Sequence, residues 1–204
     1  MKTGIVRKYH DKKRTILHKE YFMVNGKIEG EYKTYYDNGK LDSVYNFVNG
    51  KMEGEYKEYY STGELQLICN YVNGKIEGEY KSYHRNGKIE RLCNYVNGKK
   101  HGESKVYFDN GKIYNISNDI NGEPNGEYKE YYYSQSRKDG SLYRIFNMKA
   151  IEKAKTGGFI IGVEGDYKAY WPNGNLWQRA YYINNVVQGK YNFYNKDGSF
   201  SHSK

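Results

Sequence analysis

Short runs of alternating apolar and polar residues recur along this chain every 24 residues. From Gly54 the phrase reads G-E-Y-K-E-Y-Y-S-T-G-E-L-Q-L-I-C-N-Y-V-N-G-K-I-E, and it begins again at residue 78. Runs rich in Tyr, Val and Ile that are bounded by Asn and Gly are typical of β-strands joined by tight turns. Each phrase is therefore predicted to form a β-hairpin, and the chain to form an array of hairpins.

Eight units follow when the opening glycine of each phrase is aligned. These glycines are Gly4, Gly30, Gly54, Gly78, Gly102, Gly126, Gly165 and Gly189. The fifth residue after each of them is a tyrosine, namely Tyr9, Tyr35, Tyr59, Tyr83, Tyr107, Tyr131, Tyr170 and Tyr194. A turn glycine recurs as Gly39, Gly63, Gly87, Gly111 and Gly174. These tyrosines and glycines are interpreted as structural residues of the repeat.

The predicted fold is all-β, an elongated single-layer antiparallel meander of about eight hairpin repeats and roughly fifteen strands. A hairpin alone is marginal in water, so neighbouring hairpins must cover one another. The second strands are predicted at Leu41–Val48, Leu65–Val72, Ile89–Val96 and Ile113–Ile120. Both turns of a unit carry Asn-Gly in most repeats, so type I′ geometry, with positive φ at two consecutive residues, is expected at both.

Residues at the same position of adjacent units lie two strands apart, about 9.6 Å if strands are spaced about 4.8 Å. Cys69 and Cys93 share such a position, and this separation exceeds the roughly 7 Å Cα limit for a disulfide. They are predicted to be small buried side chains without a disulfide. An asparagine row, expected to serve in turn or ladder hydrogen bonds or alternatively to bind a ligand, comprises Asn46, Asn70, Asn94, Asn118 and Asn147.

Four segments are predicted. Residues 1–29 form a degenerate basic N-terminal repeat or cap, 30–125 four regular repeats, 126–164 a repeat with an insertion, and 165–204 a regular repeat with a truncated C-terminal cap. Residues 142–146 and 159–163 are interpreted as the arms of a lengthened hairpin that turns near residues 156–158. A short helix over residues 148–155 is the alternative, because Ala, Glu and Lys are good helix formers.

The net charge of +9 is concentrated at the ends of the chain. Residues 1–29 carry +5, whereas residues 30–125 are nearly neutral, which argues against a continuous nucleic-acid groove. A row of lysines three residues after each opening glycine is accompanied by acidic residues two positions earlier on the same face, so the two rows largely neutralise one another. The candidate contacts for a partner or for acidic lipid are Lys12, Lys13, Arg14, Lys149, Lys153 and Lys155.

No motif indicates catalysis. His10 and His84 occupy a position held elsewhere by Tyr36, Tyr60, Phe108, Tyr132 and Trp171, so they are interpreted as replacements for a ring rather than as metal ligands. No glycine-rich phosphate loop or nucleophile–base pair is present, so we expect no enzyme, no cofactor and no small-molecule substrate. The first residues lack the apolar core of a signal peptide, and a cytoplasmic location is expected.

The phrase G-x-Y-K-x-Y-Y-x-N-G-K-L followed by Y-V-N-G-K-x-E-G resembles the variant form of the MORN repeat. The resemblance is specific for residues 30–125, good for 165–188 and weak for 4–29. It implies a non-catalytic interaction platform whose role is protein binding or scaffolding, with a protein partner of unknown identity. Peripheral binding to acidic phospholipid membranes is the first alternative that it implies, and an antitoxin-like binding protein is the second.

Overall fold

The computed structural model describes residues 3–131, 142–153 and 159–204. The chain divides into two compact units, Met1–Lys99 and Lys100–Lys204. The strands of the first unit are β1 (Gly4–Tyr9), β2 (Leu17–Val24), β3 (Lys27–Tyr35), β4 (Leu41–Val48), β5 (Lys51–Met52), β6 (Gly54–Tyr59), β7 (Leu65–Val72), β8 (Lys75–Ile76), β9 (Gly78–Tyr83) and β10 (Ile89–Val96). The short strand β11 (Lys99–Lys100) covers the boundary in sequence.

The second unit contains nine further strands. They are β12 (Gly102–Tyr107), β13 (Ile113–Ile120), β14 (Glu123–Tyr131), β15 (Leu142–Lys153), β16 (Phe159–Tyr170), β17 (Leu176–Ile183), β18 (Val186–Val187), β19 (Asn192–Tyr194) and β20 (Phe200–Ser203). The described residues thus form twenty strands and no helix, four of the strands being two-residue segments.

Each unit is an antiparallel meander, in which a strand pairs with the strand that follows it. In the first unit β1 pairs with β2, β2 with β3 and β3 with β4, and the long strands continue in this order to β10. In the second unit the same succession runs from β12 to β20. The predicted all-β meander is confirmed, and the four predicted second strands have the predicted bounds as β4, β7, β10 and β13.

The hydrophobic core is thin because the described strands of each unit form one sheet with no second layer of described residues packed on it. Among the described residues the buried apolar side chains are Tyr32, Cys69, Cys93, Ala169 and Ala180, and no large side chain is fully enclosed. Neither Cys69 nor Cys93 forms a disulfide, as predicted. Most of the aromatic rings are half-buried, so their burial depends on the neighbouring strands of the same sheet.

The two turns of a repeat have different geometries. The second turn is type I′: Asn49 and Gly50 have φ of 53° and 79°, and the Asn-Gly pairs at 73–74, 97–98 and 121–122 repeat these values closely. The first turn is not type I′. Of its Asn-Gly pair only the glycine has positive φ, 81° at Gly39. The expectation of type I′ geometry at both turns was therefore wrong for the first turn.

Pairing across the first turn explains the difference. The Tyr36 N–H donates to the Lys40 carbonyl at 2.9 Å, and the Gly39 N–H donates to the Tyr36 carbonyl at 3.0 Å. Three residues are enclosed, which selects a type I turn followed by a left-handed glycine at a bulge. The Asn38 side chain accepts the Lys40 N–H at 3.0 Å, so this asparagine stabilises the turn through its side chain rather than through positive φ.

Successive hairpins are joined by a repeated ring-to-backbone hydrogen bond. The hydroxyls of Tyr36 and Tyr60 donate to the carbonyls of Tyr59 and Tyr83, each at 2.6 Å. The Trp171 indole donates to the Tyr194 carbonyl at 3.1 Å. His10 Nε2 lies 2.8 Å from the Tyr35 carbonyl, so this histidine takes the place of a ring donor, as predicted.

A second link joins turns along the other margin of the sheet. The glutamate that precedes an opening glycine accepts the N–H of the asparagine in the next type I′ turn, as in Glu53 to Asn73 at 2.8 Å and Glu77 to Asn97 at 2.7 Å. Glu29 and Glu164 make the same contact with Asn49 and Asn184. The carboxylate thereby satisfies a backbone donor that the hairpin itself leaves unpaired.

The insertion in the sixth unit is a lengthened hairpin. Strands β15 and β16 pair from Arg144 opposite Ala169 to Lys153 opposite Phe159. The hairpin interpretation is confirmed, but the arms are longer than predicted, since residues 159–163 pair with residues 148–153 and not with 142–146. The alternative helix is wrong for residues 148–153, which are extended. Residues 154–158, which include the predicted turn, lie outside the described residues.

Replacing Tyr60 by Phe tests the ring-to-backbone link. Loss of a hydroxyl that bonds a carbonyl at 2.6 Å is expected to lower the free energy of unfolding by about 1 kcal/mol. The matched control, Tyr59→Phe, changes the adjacent tyrosine on the opposite face and is expected to alter it by less than about 0.5 kcal/mol. Urea denaturation of both variants measures the difference, and equal losses would contradict the assigned link.

Candidate functional site

The alternation of side chains along the strands gives each sheet two different faces. In the first unit Tyr32 faces Tyr45 across β3 and β4, while the flanking Glu31 faces Asn46 and projects to the other side. We call the first the aromatic face and the second the charged face. The same register recurs in later hairpins, with Tyr56 opposite Cys69 and Tyr128 opposite Phe146.

A row of stacked and tilted rings runs across the aromatic face of the first unit. The ring centroids lie 4.9 Å apart for Tyr21–Tyr32, 5.0 Å for Tyr32–Tyr45, 5.3 Å for Tyr45–Tyr56 and 5.8 Å for Tyr56–Tyr71. Tyr32 is 8% exposed and the other rings are half-buried. The rings cover one another's flanks while leaving their outer surfaces open to solvent.

The second unit has its own row of rings. The centroid distances are 4.9 Å for Tyr128–Phe146, 5.7 Å for Phe146–Tyr167, 6.4 Å for Tyr167–Tyr191, 5.2 Å for Tyr191–Phe193 and 4.6 Å for Phe193–His202. An ion pair is embedded in this row, where Arg144 Nε donates to Glu130 Oε2 at 2.6 Å and the guanidinium lies 5.7 Å from the Phe146 ring. Each unit therefore presents a continuous aromatic strip.

Burial of the rings shifts the acidity of their hydroxyls. It raises the pKa of Tyr45, Tyr80 and Tyr128 to about 12 in each case, and raises the pKa of Tyr56 and Tyr191 as well. The Cys69 thiol is affected in the same way, and burial raises its pKa to about 11. These groups are therefore neutral at physiological pH and contribute polarity without charge.

The charged face is organised as pairs of lysine and acidic residues. In each pair the lysine ammonium contacts the acidic residue two positions earlier on the same strand: Lys33–Glu31, Lys57–Glu55, Lys81–Glu79, Lys105–Glu103, Lys129–Glu127 and Lys168–Asp166. The hydrogen bonds that five of these lysines donate to the glutamates raise the pKa of the lysines. The two rows neutralise one another, as the sequence predicts.

The asparagine row lies on the charged face beside the acidic row. Asn46, Asn70, Asn94, Asn118 and Asn147 stand opposite Glu31, Glu55, Glu79, Glu103 and Glu127, in that order. The backbone carbonyls of Asn46 and Asn70 each accept an N–H at 2.9 Å where the next strand begins. The Asn118 side chain donates to the Asn125 carbonyl at 3.0 Å. A side-chain hydrogen bond of the predicted kind is thus seen at Asn118, whereas the contacts of Asn46 and Asn70 are made by the backbone.

The candidate contact residues chosen from the sequence are divided between the two units. Lys12, Lys13 and Arg14 are exposed in the turn between β1 and β2, which the Asp11 carboxylate stabilises by accepting the N–H groups of Thr15 and Ile16. Lys149 and Lys153 lie on β15, and Lys155 lies outside the described residues.

The residues predicted to be structural lie at the ends of strands and in turns. A strand ends at each of the repeat tyrosines Tyr35, Tyr59, Tyr83, Tyr107, Tyr131 and Tyr170. Positive φ in the first turn is found at each of the glycines Gly39, Gly63, Gly87, Gly111 and Gly174.

The described residues contain no cluster of three or more His, Cys, Asp or Glu side chains suited to a metal ion. His10 and His18 come close, with ring centroids 4.4 Å apart, but they form a pair only. A hollow on the charged face, about 310 Å³ in volume, is lined by Ile68 and Asn70 among charged neighbours and is shallow. The arrangement favours contact with a surface over enclosure of a small molecule.

Residues 28–49, 52–73, 76–97, 100–118 and 163–184 match the model of a family described as the MORN repeat variant. The matched segments make up more than half of the chain. The chain belongs to the MORN repeat variant family. Proteins with MORN repeats are generally associated with binding to proteins or membranes, and the family is generally non-catalytic. The resemblance inferred from the sequence is thereby confirmed.

Two solved structures are similar to this MORN repeat chain. The TcdB2-TccC3-Cdc42 crystal structure is 11% identical over 97% of this chain, with a TM-score of 0.22, and the TcdB2-TccC3-TEV structure is 11% identical over 94%, with a TM-score of 0.23. In each case the chain spans only 12% of the length of the protein it matches. No curated protein matches the chain. No helix in the described part of the chain has the length and apolar character that a membrane span requires.

Sequence reasoning emphasised the tyrosine five residues after each opening glycine and missed the rings that form the aromatic strips. Tyr32, Tyr56, Tyr128 and Tyr167 stand two residues after the glycine, and alternation places them on the opposite face from the later tyrosine. The signal that identifies them is the two-residue period within E-Y-K-x-Y-Y. Applied to both strands of a hairpin, this period separates the aromatic face from the charged face.

The aromatic face should make stability sensitive to alkali. Burial in the folded protein raises the pKa of Tyr45 and Tyr128 to about 12 from an ordinary value of 10.0. Their contribution to the free energy of unfolding is therefore fully present below about pH 10 and is lost as pH rises towards 12. Urea unfolding at a series of pH values should show a falling free energy across this window. Tyr45→Phe should flatten the slope, whereas a constant free energy in the wild type would contradict the assignment.

Proposed function

We propose that this MORN repeat chain is a non-catalytic protein-binding platform and that its partner packs against the aromatic face. The observation that supports this is the continuous strip of half-exposed rings in each unit, from Tyr21 to Tyr71 in the first and from Tyr128 to His202 in the second. Tyrosine supplies a large, rigid and amphipathic contact area, and its rotation is already restricted here by stacking. Such residues dominate the energetic centres of protein interfaces.

The charged face is the weaker candidate for the interface. Its lysines are engaged by acidic residues on the same strand, and exposed pairs of this kind contribute little energy. A partner that covered them would have to desolvate both members of each pair. The aromatic face carries no comparable cost, because its polar hydroxyls are neutral and its apolar area is already partly withdrawn from water.

Adjacent residues on β7 and β17 allow the two faces to be compared with the same substitution. Tyr71 belongs to the first strip, and the Tyr182 ring packs against Tyr167 of the second with centroids 6.0 Å apart. Tyr71→Lys with Tyr182→Lys therefore removes one ring from the aromatic face of each unit and adds positive charge there. Asn70→Lys with Tyr181→Lys introduces the same side chains at exposed positions on the charged face. A partner captured by the wild type from the native cell is purified, and its Kd is measured with both double variants.

The first double variant should weaken partner binding by at least tenfold, the loss expected when an interface anchor worth about 2 kcal/mol is removed. The second should bind within about twofold of the wild type, the margin expected for a surface substitution outside the interface. Circular dichroism confirms that both variants are folded. Loss of binding in the charged-face variant alone, or equal binding by both variants, would contradict the proposal. An antitoxin-like role is a special case of the same proposal, in which the captured partner is a toxin.

Peripheral binding to acidic phospholipid is the second candidate, because Lys12, Lys13 and Arg14 are consecutive, exposed and borne on one turn. Each basic residue near an anionic surface contributes about 1 kcal/mol. Sedimentation with phosphatidylserine vesicles at physiological salt should then show binding that added salt reverses. Replacement of all three residues by alanine should abolish it while the Tyr71→Lys/Tyr182→Lys variant retains it; the absence of vesicle binding by the wild type would exclude this candidate.

A further inference from the structure

One hairpin of the second unit lacks the rings that the regular hairpins place on the aromatic face. In four hairpins the ring two residues after the opening glycine packs against a ring near the end of the second strand: Tyr32–Phe47, Tyr56–Tyr71, Tyr80–Tyr95 and Tyr167–Tyr182, with centroids 5.6–6.0 Å apart. In the hairpin of β12 and β13 these two positions are Ser104 and Asp119, and Ser117 stands opposite Ser104. We call these three residues the polar gap.

Asp119 is a buried carboxylate without an internal partner. It is 8% exposed, and no hydrogen bond or ion pair to its carboxylate occurs within the part of the chain that the structure describes. Its neighbour across the ladder is Pro124, which has no backbone N–H to donate. Every fully enclosed polar side-chain atom among the described residues has a partner, so the Asp119 oxygens must reach solvent at the mouth of the gap. The carboxylate therefore keeps contact with water and has no hydrogen-bond donor among the described residues.

The other buried acid of the described residues shows how this chain satisfies such a group. Glu130 is also 8% exposed, and it is paired with Arg144 at 2.6 Å. The Arg144 guanidinium lies 5.7 Å from the Phe146 centroid, so one arginine both neutralises the acid and packs on an aromatic ring. Asp119 has no equivalent arginine in the described part of this chain.

The aromatic residue Tyr128 lies on β14, the strand that pairs with β13 beside the polar gap. Asn115 and Ile116 on β13 pair with Glu130 and Lys129 on β14, and Tyr128 follows on the same face as Glu130. Tyr128 therefore lies on the strand beside Ser117 and on the same face, where the register shifts between Ile116 and Asp119. A carboxylate, two hydroxyls and a tyrosine ring are the groups that would surround a guanidinium bound in the gap.

We propose that the polar gap receives an arginine side chain of the protein partner. This inference rests on the proposed function, because it assigns one contact within the aromatic face. The guanidinium donates to the Asp119 carboxylate and to the hydroxyls of Ser104 and Ser117, and its plane packs on Tyr128. The aromatic strip then supplies contact area, and the gap fixes the partner's position along the sheet.

A metal ion fits the polar gap poorly. Hard divalent cations take six to eight oxygen ligands, usually with more than one carboxylate, and the described residues contain no cluster of three or more metal-ligating side chains. A lysine ammonium would satisfy the charge but lacks the planar fork that suits a carboxylate and a ring together. The chemistry of the gap therefore selects arginine.

The test uses acetyl-arginine amide as the probe, with acetyl-citrulline amide as its neutral counterpart. Backbone amide signals of the ¹⁵N-labelled protein are followed during titration up to about 50 mM, a range that detects a Kd of about 1–10 mM. The arginine probe should shift the signals of residues 104, 117, 119 and 128. The citrulline probe should not.

Two variants distinguish the contribution of the Asp119 charge to probe binding from the contribution of the shape of the gap. Asp119→Asn is nearly isosteric and should weaken binding of the arginine probe at least tenfold, because the charge is lost while the fold is kept. Ser104→Tyr with Asp119→Tyr recreates the ring pair of the neighbouring hairpins, and it should abolish binding without lowering the thermal midpoint. Because this second variant is expected to stay folded, its loss of binding cannot be attributed to unfolding.

The inference is overturned if the arginine probe shifts no signals, if it shifts only signals away from the gap, or if Asp119→Asn binds it as the wild type does. Failure of the proposed function gives a different result. In that case partner binding is insensitive to Tyr71→Lys/Tyr182→Lys, while the isolated arginine probe still binds at Asp119.

Discussion

Within each unit the described strands form a single layer, which cannot by itself exclude water from its side chains, and this constraint governs the whole structure. Each hairpin depends on the hairpins beside it for the burial of its rings and for partners to its backbone groups. Tyr36 and Tyr60 donate to the carbonyls of the following repeat, and Glu53 accepts an N–H from the following turn. Repetition of one phrase is thus a physical requirement, because a hairpin gains these partners only from another of matching geometry.

The same constraint separates the chemistry of the two faces. Rings that must flank one another occupy alternate positions, so the intervening positions are left for groups that tolerate full hydration. Lysine and glutamate fill these positions and neutralise one another along each strand. The result is a sheet with one face on which opposite charges are paired and another face that is lined by aromatic rings. Departures from the pattern, such as Asp119, are then conspicuous because their neighbours are so regular.

Much of the fold could be predicted because its determinants are local. Alternation defined the strands, and the spacing of Cys69 and Cys93 was enough to predict that no disulfide joins them. The first turn was misjudged because a left-handed glycine suits both a type I′ turn and a bulged type I turn; pairing of Tyr36 with Lys40 decides between them. The polar gap was not foreseen, since Ser104 and Asp119 are 15 positions apart and become neighbours only through strand register.

The links between turns and rings have a consequence for how such a protein can change in length. Every carboxylate or ring link described joins a hairpin to its immediate successor, as Glu29 is joined to Asn49 and Trp171 to the carbonyl of Tyr194. Duplication of one 24-residue phrase would supply both halves of each new link, and deletion of one would rejoin compatible ends. Duplication or deletion within the gene can therefore lengthen or shorten the sheet by whole repeats. Substitutions such as those that form the polar gap then distinguish one repeat from the others.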